Sequence, residues 1–223
     1  MMEEFSSSKL GTESFWDDFY SKELSNFKEN KDEGEIWFGH SRMMKVVDWL
    51  FNCKQINPFS SVIDIGSGNG AFLLELAQKG FSSLYGIDYS QNAVDLSISI
   101  ALSQGKVISY KQADFLDQDS IRFSTADESE VSMFDVCHDK GTYDAISLRD
   151  DAAEARKKYL NTLSKISKSL FVITSCNWTL EELKTHFKEF FEFVAHIPAP
   201  SFQFGGKSGS TVSTAIFCKL STS

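Results

Sequence analysis

Hydrophobic positions along the chain change their period near residue 60. Before it they recur at helical spacing: Phe15, Trp16, Phe19, Tyr20, Leu24 and Phe27 make one apolar stripe behind a cap-like Ser14, which predicts a helix. A charged loop at 30–34 and the aromatic run Glu35-Ile36-Trp37-Phe38-Gly39 follow. A second helix is expected from about Ser41 to Cys53, with Met43, Val47, Leu50 and Phe51 inward, and Pro58 closes this helical extension over 14–58. Residues 1–13 are polar and are expected to form a disordered tail.

Over 59–223 short apolar runs alternate with helical periods. Strands are expected at 61–65, 83–88, 107–112, 132–139 and 170–175. Helices are expected at 71–79, ended by Gly80, after Ser90 with Val94, Ile98, Ala101 and Leu102 on one face, and at 151–168. Thr179 and Glu182 make a capping box for a further helix, with Trp178 stapling onto Leu183. Two last strands, near 191–197 and 211–220, flank a glycine-rich loop and read as an antiparallel pair at the sheet edge. Strands alternating with helices imply parallel crossovers with helices on both faces. The acidic stretch 117–135 is expected to be a solvated loop.

Composition narrows the class. Of 223 residues, 42% are hydrophobic, enough for a core. A net charge of −9 works against phosphate-backbone binding and suits a basic partner. The cysteines Cys53, Cys137, Cys176 and Cys218 have no metal-ligand spacing and His40, His138, His186 and His196 are scattered, so no metal site is expected. No apolar run is long enough to span a bilayer, and a cytoplasmic, or also nuclear, monomer is the expectation.

The strongest local signal is Val62-Ile63-Asp64-Ile65-Gly66-Ser67-Gly68-Asn69-Gly70, between a strand and a helix. Glycines there let a ligand approach the backbone beside the free N–H groups of a helix start. Asp64, in an apolar strand end, either orients the loop and meets a ligand ammonium or ties down loop amides. Asp88 closes the second strand, where an acid accepts ribose hydroxyls, with Tyr89 next to it. Asp114 closes the third, where it can accept an adenine amino group while Phe115 or its neighbour packs on the ring. Gly205-Gly206-Lys207-Ser208 fails as a phosphate loop, because Ser201 stands where that motif needs glycine.

A glycine loop and two acids at three successive strand ends resemble the seven-β-strand class I S-adenosylmethionine-dependent methyltransferases. The resemblance implies an α/β Rossmann-like sheet of seven strands, mostly parallel, with an antiparallel last strand. It implies S-adenosyl-L-methionine as cofactor, held by Asp64, Gly66, Gly68, Asn69, Gly70, Asp88, Tyr89, Asp114 and Phe115.

Strand four ends in His138-Asp139-Lys140-Gly141-Thr142-Tyr143-Asp144, not in the Asn/Asp-Pro-Pro-aromatic run common in enzymes acting on adenine or glutamine nitrogen. Together with Gly34–Gly39, Ser175-Cys176-Asn177-Trp178 and Phe204–Gly209, this resembles the protein-lysine methyltransferases of translation elongation factor 1-alpha. The resemblance implies a protein substrate. Asp139 becomes the candidate to receive or orient the acceptor ammonium and to touch the cofactor, with Tyr143 as a second catalytic candidate. Phe38, Lys140, Asn177 and Trp178 become candidates for the substrate side, and Trp37 for covering the cofactor. A small-molecule N- or O-methyltransferase and a non-catalytic cofactor-binding subunit remain alternatives.

Overall fold

The structure, a computed structural model, describes residues 5–124, 129–198, 202–204, 207–209 and 212–220. Seven strands form one sheet: β1 (Val62–Ile65), β2 (Leu84–Asp88), β3 (Ser109–Gln112), β4 (Phe134–Lys140), β5 (Ser167–Ser175), β6 (Phe191–His196) and β7 (Ser213–Lys219). The helices are α1 (Glu13–Asn30), α2 (His40–Asn52), α3 (Ala71–Gln78), α4 (Gln91–Ser103), α5 (Thr142–Ile146), α6 (Ala152–Ile166) and α7 (Leu180–Phe187). The strand order is β3-β2-β1-β4-β5-β7-β6. Neighbours are parallel from β3 through β5, and β7 runs antiparallel to both β5 and β6. The antiparallel last strand is as expected, but it lies inside the sheet; β6 is the edge.

The central strands are apolar on both faces, as a sheet covered by helices on two sides requires. Val62, Val136, Leu170, Val172 and Ile216 point toward Met43, Val47, Leu50, Phe72 and Leu73 of α2 and α3. Ile63, Ile65, Cys137, Phe171, Ile173 and Phe217 point the other way, toward Tyr143, Tyr159, Leu163, Leu183 and Phe187 of α5, α6 and α7. Alternation along each strand thus feeds two cores. A third cluster joins Leu24 and Phe27 of α1 to Leu96 and Ile100 of α4. Of the N-terminal extension, α1 is thus clamped onto α4, while α2 packs on the sheet itself.

Four expectations are corrected. From Phe5 on, residues 1–13 do not form a free tail: Phe5 packs edge-on against Trp178 at 4.7 Å, Ser8 N–H donates to the Leu148 carbonyl at 3.0 Å, and Lys9–Gly11 form a 3₁₀ turn. A few apolar contacts and backbone hydrogen bonds outweigh a polar composition. On α4, Ile98 and Leu102 are exposed and the buried face is carried by Ala93, Val94, Leu96, Ser97, Ile100 and Ala101. Within 117–135, Ile121 and Phe123 are buried, and Phe123–Ser124 pairs with Glu130–Val131. Where a glycine-rich loop was expected, Phe202–Phe204 and Lys207–Gly209 pair as a short antiparallel ribbon.

Candidate active site

The C-terminal ends of β1, β2 and β4 converge on one cleft, as open α/β sheets dictate. At β1 the chain turns through Ser67 into α3. Gly66 has φ +68°, and a Cβ there would fall on the Thr142 hydroxyl, so only glycine fits. Thr142 Oγ1 donates to the Ile65 carbonyl at 2.8 Å, which locks the β1 turn to the start of α5. At β2, Asp88 Oδ2 accepts from Gly68 N–H at 3.0 Å and Oδ1 from Ser90 N–H at 3.0 Å. Burial nevertheless lifts the Asp88 carboxyl to about 6, against the pull of those amides.

The cleft is lined by Trp37, Phe38, Gly66, Gly68, Asn69, Asp88, Tyr89, Lys140 and Asn177, all expected at the site. Asn69 Nδ2 donates to the Glu33 carbonyl at 3.0 Å and to that of Glu35 at 3.4 Å, tying the glycine loop to the start of the aromatic run. Phe38 takes φ +65°, a conformation costly for a bulky side chain and typical of over-determined sites. A second depression shares Leu10, Tyr89, Thr142 and Ala145 with the first and adds Asp114 and Phe115. The two together make one groove along the ends of β4, β1, β2 and β3. Asp114 Oδ1 accepts from Leu116 N–H at 2.8 Å, and Phe115 packs on Tyr159 at 4.8 Å between centroids.

Five expected residues do not line the groove. Asp64 is buried and paired with His138 Nδ1 at 2.7 Å, under the stacked ring of Phe72. Gly70 starts α3 and its carbonyl accepts from Tyr110 Oη at 3.3 Å. Asp139 is fully buried: Oδ1 accepts from Thr142 N–H at 3.0 Å, and Oδ2 from Tyr143 N–H at 3.1 Å and Tyr159 Oη at 2.7 Å. It is the acceptor for the start of α5, not an open carboxylate. Tyr143 points into the core, its Oη 3.0 Å from His186 Nδ1. Trp178 is core as well, with Nε1 donating to Ser147 Oγ at 3.1 Å. Strand-end position alone does not reveal which of two neighbouring acids the helix start consumes.

The sequence reading passed over several residues that do line the cleft. Asp144, one helical turn beyond Gly141, is its second deep carboxylate. Asp144 accepts from Ser175 Oγ and from Cys176 N–H, the latter at 2.8 Å, and burial raises its carboxyl above the usual range. Glu35, Trp16 and Tyr20 also line the cleft. Trp16 lies edge-on to Trp37 at 5.1 Å, so α1 and the aromatic run form one wall. Trp16 and Tyr20 had been counted as core stripe, and nothing in a helical period distinguishes a core face from a cleft face.

The groove suits S-adenosylmethionine. Ser67 Oγ and Trp37 Nε1 are buried in its wall without hydrogen-bond partners among the described residues, and orphaned polar atoms of this kind await a polar ligand. Acids stand at the ends of β2 and β3, where the resemblance expects ribose and adenine, and apolar Leu10 and Ala145 line both halves. Among the described residues no cluster could hold a metal ion.

A family model described as a methyltransferase domain matches residues 56–215. EEF1A lysine methyltransferase 2 of Danio rerio is 45% identical over 219 residues, covering 96% of this chain and 90% of the relative. The chain belongs to this methyltransferase family. Protein-lysine N-methyltransferase EFM4 of Saccharomyces cerevisiae is 37% identical over 231 residues, covering 97% of each chain. The crystal structure of magnesium protoporphyrin IX methyltransferase from Synechocystis with bound SAM aligns at a TM-score of 0.64 with 16% identity, over 97% of this chain and 100% of that one. That likeness carries the fold alone. The enzyme is thus an S-adenosylmethionine-dependent methyltransferase.

Proposed function

We propose that this methyltransferase transfers a methyl group to the ε-amino nitrogen of a lysine in translation elongation factor 1-alpha. One observation carries the chemistry: Asp144 and Glu35 bring carboxylates to a cleft whose mouth is otherwise walled by Trp16, Trp37 and Phe38. Such a lining takes a long apolar stem with a cationic head. The names of the relatives supply the protein, and a net charge of −9 favours a basic partner.

Bound in the groove, S-adenosylmethionine supplies an electrophilic methyl on a positively charged sulfonium. The acceptor must first lose a proton, which from a reference pKa of about 10.4 costs roughly 4–5 kcal/mol at neutral pH. Desolvation in the cleft and the nearby positive charge lower that cost. Asp144 orients the ammonium and takes its proton, for which a carboxylate raised by burial is the better base. That leaves the nitrogen with a free lone pair, ready for the methyl group that the donor would supply. The rest is positioning: α5 holds Asp144, and Asp139 holds α5.

The same reading has the enzyme work as a monomer, without nucleic acid, in a reducing compartment; the four free thiols support the last point. The experiment is methyl transfer from labelled S-adenosylmethionine to purified elongation factor 1-alpha, with Asp144→Asn in parallel. Label on a lysine, lost in the variant, supports the reading. Intact cofactor binding with no label on the factor sinks the substrate and favours a small-molecule acceptor.

A further inference from the structure

We propose that Lys140 anchors the carboxylate of the bound methyl donor, so that it serves the cofactor half of the cleft and not the substrate half. This rests on the cleft being the S-adenosylmethionine site. The argument begins with charge. Among the described residues, those lining the cleft include the carboxylates Glu35, Asp88 and Asp144 and one cationic side chain, Lys140; the adjoining depression adds Arg149, which is paired with Asp151. The donor brings two positive groups, a sulfonium and an ammonium, and one negative group, its carboxylate. A lysine acceptor brings a further positive charge. Lys140 repels every one of these cations, and the donor carboxylate is the one arriving group it attracts.

Its surroundings point the same way. Lys140 ends β4 beside Thr174 of β5 and is followed directly by the Gly141 turn. Its Nζ lies 6.0 Å from the centroid of the Phe38 ring, the residue held at positive φ. Among the described residues no carboxylate is within ion-pairing distance of it; the ion pairs lie elsewhere. A part-buried ammonium without a counter-ion is unfavourable and calls for an anion when the site fills. Ser67 Oγ and Trp37 Nε1, the two unpartnered buried groups in the same wall, are further donors for such an anion. Burial holds the Lys140 pKa below its usual value, with Asp64 and Asp139 pulling weakly the other way. A carboxylate placed against Lys140 raises it again.

The test is calorimetric binding of S-adenosylhomocysteine and of its decarboxylated analogue to the wild type, Lys140→Met and Lys140→Arg. Lys140→Met is expected to weaken S-adenosylhomocysteine by roughly tenfold or more, the worth of a charge-assisted hydrogen bond. The decarboxylated analogue keeps its affinity for the same variant, which also shows that the groove is folded. Lys140→Arg retains most of the affinity. Equal weakening of both ligands overturns the proposal. So does an unchanged S-adenosylhomocysteine affinity with a raised KM for the protein acceptor, which returns Lys140 to the substrate side. A wild type that binds neither ligand removes the cofactor assignment itself, an outcome distinct from the other two.

Discussion

Tyr159 Oη donates to Asp139 Oδ2 at 2.7 Å, from α6 to the end of β4 beneath the floor of the groove. With the Thr142 and Tyr143 amides on the same carboxylate, Asp139 has no face left for a substrate. Its task is to fix where α5 begins, and thereby where Asp144 stands.

Replacing Asp139 by Asn therefore acts on stability before chemistry. One amide or hydroxyl loses its acceptor, at a cost of about 1–3 kcal/mol. Burial lifts the Asp139 carboxyl to about 7, well above an unfolded value of about 3.9. Between those two values the native state holds a proton that the unfolded state has lost. The contribution of this group to stability thus falls as pH rises through that window. Urea denaturation of both proteins from acid to neutral pH is expected to show a shallower decline in Asp139→Asn than in the wild type.

Asp144→Asn has the opposite profile. The amide still accepts from one of Ser175 Oγ and Cys176 N–H, so the fold survives. The general base is gone, and kcat falls by about a hundredfold or more. Binding of S-adenosylhomocysteine by calorimetry remains within a few-fold of wild type. A variant with normal turnover means that the proton leaves by another route.

Trp178→Ala removes a core residue that touches Phe5, Tyr143 and His186. The expected loss is about 3–5 kcal/mol of stability, read as a lower urea midpoint. Trp178→Phe, which keeps the ring volume better, is expected to leave the KM for the acceptor unchanged, contrary to a substrate-wall role.

Gly11→Ala tests the docking of the N-terminal segment. A Cβ at Gly11 would run into the backbone carbonyl of Leu148, and backbone cannot move aside cheaply. The expected result is release of the segment before α1, seen as faster proteolytic cleavage there with the main unfolding transition little changed. Because Leu10 lines both halves of the groove, cofactor affinity falls as well.

Much of the sheet was legible because its signals are local. The Gly66–Gly70 loop, the acids ending β2 and β3, and the Thr179 capping box each depend on a few consecutive residues. The capping box forms as read, with Thr179 Oγ1 accepting from Glu182 N–H at 3.3 Å. What stayed hidden depends on distant partners. Asp139 and Asp144 are both acids near a strand end, and only Tyr159, twenty residues on, decides between them. Likewise Trp178 stands between polar Asn177 and Thr179 yet is core, and Trp37 stands between apolar Ile36 and Phe38 yet lines the cleft. One meets Phe5 and the other the cleft, and no periodicity encodes that. The position of β7 between β5 and β6 is partly non-local, since β6 precedes it in the chain but β5 is brought beside it by the fold.

That insertion bears on how the molecule assembles. Among the described residues, strand β6 bonds within the sheet only to β7. During synthesis it emerges while its sole pairing partner is still to be made, with the apolar Phe191 and Phe193 on an open strand. The groove strands β1 to β4 already have one another by then. Ribosome-bound chains halted between β6 and β7 should hold a cofactor half near completion beside an adhesive, unpaired ribbon, and this is the stage at which a chaperone has most to protect.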